Sequence, residues 1–187
     1  MMKKSRINLQ FCGFGGQGLV LSATVFGTAA VYAGLNAVQT QSYGSEARGG
    51  ECQAELILAE EAIKSPTAKA VDILIAMSQP ALKRYLERLR PGGTLLIDPR
   101  FVVHPDRDDI SILEVPVTQI AIDEIGKQIT ANMVMLGFLR QTTGLMPEDA
   151  LLEAIKSSVP AKFLKVNLEA VERGKQLALA RNITLGV

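Results

Sequence analysis

Apolar residues along this chain fall into short blocks whose period changes along its length. Ile7-Asn8-Leu9-Gln10-Phe11-Cys12 is a strand-like run, and six residues later Leu19-Val20-Leu21-Ser22-Ala23-Thr24-Val25-Phe26 reads as a buried helix. Val71-Asp72-Ile73-Leu74-Ile75-Ala76-Met77 and Thr94-Leu95-Leu96-Ile97-Asp98 are nearly continuous apolar runs, as expected of parallel strands covered on both faces. Between them, residues 80–90 read as a helix with Leu82, Tyr85, Leu86 and Leu89 on one side, ended by the breakers Pro91-Gly92-Gly93. Residues 53–58 alternate and suit a half-exposed or edge strand, and residues 110–115 form a further short strand. The last third is helical. Residues 132–142 are apolar almost all round, which predicts burial within the domain or against a partner. Pro147-Glu148-Asp149 starts the next helix, with proline in its first turn and acids at the positive dipole end, and Pro160 closes it. The final helix carries Leu164, Leu168, Val171 and Ala178 on one face. Alternating strands and helices without repeat or linker predict a single domain over residues 1–187, a three-layer α/β/α Rossmann-like fold with a mainly parallel sheet.

The turn between the first strand and helix carries the densest signal. In Gly13-Phe14-Gly15-Gly16-Gln17-Gly18 the spacing Gly-x-Gly-x-x-Gly falls on Gly13, Gly15 and Gly18. Between a strand and a helix, such a turn lets a backbone approach a phosphate at the helix N-terminus. A dinucleotide site also calls for Asp or Glu about 20 residues on, to bind the ribose. Here that region reads Ala33-Gly34-Leu35-Asn36-Ala37-Val38-Gln39-Thr40-Gln41, without an acid. A second glycine loop follows instead, Ser42-Tyr43-Gly44-Ser45-Glu46-Ala47-Arg48-Gly49-Gly50. Arg48 is the side chain in it best suited to an anion, because its planar fork donates two parallel hydrogen bonds. Taken alone, Arg48 and Glu46 would read as solvated or paired with each other in a turn. Two glycine loops after successive strands, however, both fall at the carboxyl ends of strands, where open α/β sheets place ligands and partners.

Composition narrows the possible chemistry. A net charge of +1 gives no electrostatic case for nucleic acid, and the Lys3, Lys4, Arg6 cluster reads as a solvated terminus. Residues 19–33 form the longest apolar-rich run, too short to span a membrane and preceded by a glycine turn unlike a signal peptide, so a cytoplasmic location is expected. Cys12, Cys52 and His104 cannot complete a four-ligand metal or iron–sulfur site, and no metal ligands are assigned to this chain. Cys12 reads as a small core residue, Cys52 as partly reachable, and His104 as an exposed loop histidine. No Gly-x-Ser-x-Gly, Gly-Lys-Ser/Thr, His-Glu-x-x-His or Cys-x-x-Cys is present. Asp98 at a strand end and Glu60-Glu61 have no evident positioned partner and read as ordinary exposed carboxylates. No catalytic residue is assigned, and the isolated chain is expected to be inactive. Asn132, in the buried helix, would need hydrogen-bond partners, and two roles stay open for it: orienting the first glycine loop, or satisfying a neighbouring backbone.

The paired loops, with Ala76-Met77-Ser78-Gln79-Pro80 and Asn132-Met133, closely resemble the gamma subunit of the 2-oxoacid:ferredoxin oxidoreductases. The resemblance covers nearly the whole chain. Its loop is most similar to the 2-oxoglutarate branch, which commonly reads Ser-Tyr-Gly-x-Glu-x-Arg-Gly-Gly. The pyruvate branch tends toward Phe-Gly-x-Glu-Arg-Arg-Gly-Ala and the indolepyruvate branch toward His-Gly-x-x-x-Arg-Gly-Gly. The resemblance implies a non-catalytic subunit of an enzyme converting 2-oxoglutarate, coenzyme A and oxidised ferredoxin to succinyl-CoA, CO2 and reduced ferredoxin. It implies thiamine diphosphate and magnesium in alpha and beta companions and iron–sulfur clusters in partner subunits, a ferredoxin-like delta subunit among them. Ferredoxin is met through the complex, and a gamma homodimer is admitted for the isolated chain. The residues assigned to the cofactor side are Gly13, Gly15, Gly16, Gln17, Gly18, Ser42, Tyr43, Gly44, Glu46, Arg48, Gly49, Gly50 and Asn132. They would touch coenzyme A or dock onto the alpha subunit, and both readings remain open. The rival readings are a Rossmann dehydrogenase and a stand-alone coenzyme A or nucleotide binding module.

Overall fold

The computed structural model describes residues 6–43 and 50–186. In chain order the elements are β1 (Arg6–Phe14), α1 (Leu19–Tyr32), β2 (Asn36–Tyr43), β3 (Glu51–Ala59), β4 (Val71–Ala76), α2 (Gln79–Tyr85), β5 (Leu89–Ile97) and β6 (Ser111–Glu114), followed by α3 (Val117–Asp123), α4 (Ala131–Thr143), α5 (Glu148–Ser158) and α6 (Ala161–Ala180). The strands form one sheet in the order β2-β3-β1-β4-β5-β6. β1, β4, β5 and β6 pair in parallel, while β3 is antiparallel to both β1 and β2. Only β3 therefore runs against the rest. Helices lie on both faces. Ile7, Leu9 and Phe11 of β1 point into the larger core with α1, α4 and α5, while Cys12, Leu74, Ala76 and Ile97 face the smaller one under α2. The three-layer, mainly parallel α/β architecture expected from the alternating pattern is the one found.

Two local expectations are corrected. Residues 53–58 do not make an edge strand. β3 is internal, and Ala54, Leu56, Ile57 and Leu58 are buried. Its polar alternation is satisfied by protein rather than water: Gln10 Nε2 donates to Gln53 Oε1 at 2.9 Å, and Arg88 forms a two-pronged ion pair with Glu55. The helix expected over residues 80–90 stops at Tyr85, continues as the 3-10 turn Leu86–Arg88, and gives way to β5 at Leu89. Pro91-Gly92-Gly93 thus sits inside the strand span, at a register shift against β4, rather than ending a helix. Beyond these corrections, α3 is a helix between β6 and α4 for which the apolar pattern carries no expectation.

The helical third packs unusually tightly for a sequence reason. α4 and α6 cross at two glycines: a Cβ on Gly137 would lie 2.0 Å from the Val171 carbonyl oxygen, and one on Gly174 would lie 1.9 Å from that of Val134. The backbones meet with no side chain between them. Met133, Val134, Met135, Leu136, Phe138 and Leu139 are accordingly buried on every side of α4. Burial of this helix, as its all-round apolar sequence predicts, fixes the position of Asn132 in its first turn.

Candidate functional site

β1 ends at the carboxyl edge of the sheet, and the chain reaches α1 through residues 15–18. Gln17 holds this turn in place. Its Oε1 accepts from the Phe14 amide at 2.7 Å, and its Nε2 donates to the Met77 carbonyl at 2.9 Å, tying the end of β1 to the end of β4. Gly13 makes room for that amide, since a Cβ there would lie 2.3 Å from Gln17 Oε1. The Gly15 amide donates to the Gly50 carbonyl at 2.9 Å, which joins the two glycine loops directly. Gly18 caps α1 in the left-handed region at φ 74°, with no side-chain cap. Its carbonyl accepts from the Ser22 amide at 2.9 Å, from Ser22 Oγ at 3.0 Å and from Asn132 Nδ2 at 3.2 Å. Asn132 Oδ1 accepts in turn from the Met133 amide at 3.0 Å. Among the described residues no side chain caps the first turn of α1, and an uncapped helix N-terminus favours an anion.

Two cavities flank the turn and share Gly16 and Ile129. One of about 340 Å³ is lined by Gly16, Gln17, Met77, Phe101, Thr118 and Gln128, among others. It lies between the carboxyl ends of β1 and β4, where the chain departs from β1 toward β2 and from β4 toward β5. That is the topological switch point of the sheet, the crevice where doubly wound folds bind ligands. The second, about 280 Å³, lies between the starts of α1, α4 and α6 and is mostly apolar, with Leu21, Val159, Phe163 and Val166 in its wall and Lys127 at its rim. Ile129, 76% exposed, stands between the two.

The predicted residues are therefore only partly gathered. Gly13, Gly15, Gly16, Gln17, Gly18, Gly50 and Asn132 are brought together. Asn132 takes both roles left open for it, orienting the loop through a backbone carbonyl. Gln17 spends both amide atoms on the protein. Ser42, exposed, and the backbone of Tyr43 end β2 on the same edge, opposite Gln53 and Cys52. Gly44, Glu46, Arg48 and Gly49 lie outside the described residues. The residues that sequence reasoning missed are Phe101, Thr118, Lys127, Gln128, Ile129 and Phe163. Only Phe101 had a usable signal, since Asp98-Pro99-Arg100-Phe101 follows directly after a strand.

Asp98 is not an exposed carboxylate. It is fully buried, accepting from the Arg100 amide at 3.1 Å and from the Thr118 amide at 3.2 Å, so it anchors the start of α3 and the segment bearing Phe101 at the crevice. Cys52 is likewise not reachable: it is buried, and desolvation pushes its thiol up. Burial, with the negative charge of Glu51 added, holds the Cys12 thiol far above its usual range. His104 is exposed in its loop. Among the described residues no group of three or more His, Cys, Asp or Glu is placed to hold a metal ion.

A doubly wound α/β domain with an anion-ready turn at its switch point, braced by its own side chains, defines a ligand-site or docking scaffold. The chain belongs to the pyruvate ferredoxin/flavodoxin oxidoreductase family, whose sequence profile matches residues 8–177. It is 44% identical over 181 residues to the 2-oxoglutarate synthase subunit KorC of Methanothermobacter marburgensis, covering 93% of this chain and 97% of that one. Among solved structures, the gamma subunit of a keto/oxoacid ferredoxin oxidoreductase from Geobacter sulfurreducens PCA superposes with a TM-score of 0.82 at 35% identity, over 93% of this chain and 99% of that one. The 2-oxoglutarate:ferredoxin oxidoreductase of Magnetococcus marinus, solved with 2-oxoglutarate, coenzyme A and succinyl-CoA bound, gives 0.86 at 25% identity, over 95% of this chain but 32% of that longer one.

Proposed function

We propose that this chain is the gamma subunit of a thiamine diphosphate-dependent 2-oxoglutarate:ferredoxin oxidoreductase, working in the cytoplasm with alpha and beta companions that carry the chemistry. The observation that supports it most is end-to-end similarity to a 2-oxoglutarate synthase subunit of nearly the same length. The site agrees with a supporting role. Its polar side chains Gln17, Asn132 and Asp98 are bonded to the protein's own backbone, as suits groups that shape a site rather than react in it.

The residues present also fit coenzyme A. The uncapped turn at Gly16 and Gly18 suits a phosphate, with Lys127 at the rim of the same cavity as a cation. The apolar cavity beside Phe163 suits an uncharged arm. Coenzyme A supplies the thiol that accepts the acyl group, and this chain's part is to bind and orient it.

The test is co-expression with the companion chains, followed by assay of the purified assembly and of this chain alone. The assembly should reduce ferredoxin with 2-oxoglutarate and coenzyme A, and the isolated chain should be silent. Turnover by the isolated chain, or preference of the assembly for another 2-oxoacid, would overturn the reading. Arg48→Ala separates the two uses of the second loop. An arginine on a phosphate or in a desolvated interface costs about 2–5 kcal/mol when truncated, against about 0.5 kcal/mol for a solvated one. A raised apparent KM for coenzyme A in an intact assembly marks phosphate binding. A lowered yield of assembly marks docking, and wild-type behaviour in both returns Arg48 to the solvent.

A further inference from the structure

The outer edge of the sheet carries two features that the crevice does not use. β2 is the terminal strand, paired along its length with β3 and with no other strand among the described residues. Natural edge strands are guarded by lysine, proline, inward charges or bulges, because an open row of N–H and C=O groups templates further pairing. Asn36-Ala37-Val38-Gln39-Thr40-Gln41-Ser42-Tyr43 has no charge and no proline, and its register against β3 runs without a bulge. The adjoining helix is equally bare. α1 contains no charged residue, and its outward side shows Thr24, Thr28 and Val31, spaced as neighbours on one helical face. Thr24, Thr28 and Val31 line an open groove of about 260 Å³ with Ala37 and Gln39 of β2.

We propose that this edge receives a second copy of this chain, β2 pairing antiparallel with its counterpart across a two-fold axis while the two α1 helices pack side by side. Self-complementarity and spacing favour that occupant. Gln39, Thr40, Gln41 and Ser42 each donate and accept, so any of them can face its own copy without the repulsion that a charged residue would meet. α1 sits over β2 and β3, with Gly27 against Ala37 and Leu56. Its axis therefore lies about one strand spacing from a two-fold axis placed half a spacing outside β2. Two spacings of about 4.8 Å put the paired α1 helices about 10 Å apart, within the usual range for packed helices. One operation thus covers the open strand and the bare helix together. The proposal is independent of which 2-oxoacid the assembled enzyme takes.

The test uses the full purified chain. Light scattering should give a dimer mass at micromolar concentration. Val31→Glu, at a position 52% exposed, should weaken the dimer by about tenfold or more, while the melting temperature measured at a concentration low enough for monomer stays at the wild-type value. Cys12 and Cys52 are buried, so single cysteines at Val38, Thr40 and Ser42 report alone. Opposed Cα atoms in an antiparallel pair lie roughly 4.5–5.5 Å apart, within disulfide reach, so cross-linking should peak at one position and fall on either side. A monomeric mass overturns the proposal. So does a dimer indifferent to Val31→Glu with flat cross-linking, and so does cross-linking of β2 only to a companion chain in the assembly.

Discussion

Gly18→Ala tests whether the glycine turn is braced as described. Gly18 has φ 74°, which costs an L-residue about 1–2 kcal/mol. An alanine Cβ would also lie 2.5 Å from Asn132 Nδ2, so the amide must move and its bond to the Gly18 carbonyl is lost, about 1 kcal/mol more. The expected total is about 2–3 kcal/mol, or roughly 5–10 °C in melting temperature for a domain of this size. Gly16 supplies the control. Its φ is 95°, yet nothing lies within 4 Å of its Cβ position, so Gly16→Ala should cost only the backbone part. The double variant Gly18→Ala/Asn132→Ala should cost about 1 kcal/mol less than the sum of the singles, because clash and hydrogen bond share one side chain. Urea unfolding of all four variants supplies the numbers. Equal costs for Gly16→Ala and Gly18→Ala, or strict additivity in the cycle, would refute the bracing role of Asn132.

Two further outcomes follow from burial. Gly174→Ala drives a methyl into the Val134 carbonyl oxygen and toward the Phe138 amide, backbone atoms that cannot rotate away, so it should cost about 3 kcal/mol or more and be the costliest glycine change among these. Urea midpoints check it, and a cost below that of Gly16→Ala would refute the close α4–α6 crossing. The two thiols predict an alkaline loss of stability. Both are raised from an ordinary value of 9.0 by burial, so native thiols keep their protons while unfolded ones release theirs. That contribution is complete below pH 9 and declines as pH rises above it, by up to about 1.4 kcal/mol per pH unit for each thiol. Cys12→Ala should flatten the decline between pH 8 and 10 relative to wild type, and parallel curves would sink the idea.

The fold was legible because period and length agreed over the long elements: the apolar runs of β4 and β5, the strand–turn–helix of β1 and α1, and the all-round apolar α4. The errors share a cause. β3 was misplaced because Gln53 and Glu55 look solvated in sequence, and only a folded sheet reveals Gln10 and Arg88 as their partners. Asp98 misled in the same way, since its partners are the backbone amides of Arg100 and Thr118, invisible in side-chain spelling. The site was half legible. Glycine spacing marks where a backbone must turn, so the first loop was found. Nothing local marks Ile129 or Phe163, which line the apolar cavity only because α4 and α6 cross at two glycines and bring their N-termini to α1.

β3 also explains why a dinucleotide signature begins here and is not completed. In a Rossmann domain the second strand neighbours the first, and an acid at its end reaches the ribose of a nucleotide held on the glycine turn. Here β3 lies between them, so the end of β2 stands two strand spacings, about 9.6 Å, from β1. What adjoins the turn instead is the start of β3. Its first residue, Glu51, is committed to Arg84 at 2.7 Å, and the Gly50 carbonyl before it is committed to Gly15. Among the described residues no carboxylate at that place is left for a ribose diol. The reversed strand gives up the ribose clamp, and in exchange it fastens the second glycine loop to the first. If the turn holds coenzyme A as proposed, it would recognise the ligand through its phosphate and its apolar arm. NAD should accordingly fail to compete for it where a phosphopantetheine compound succeeds, and competition by NAD at comparable concentration would mean that the ribose finds a partner elsewhere.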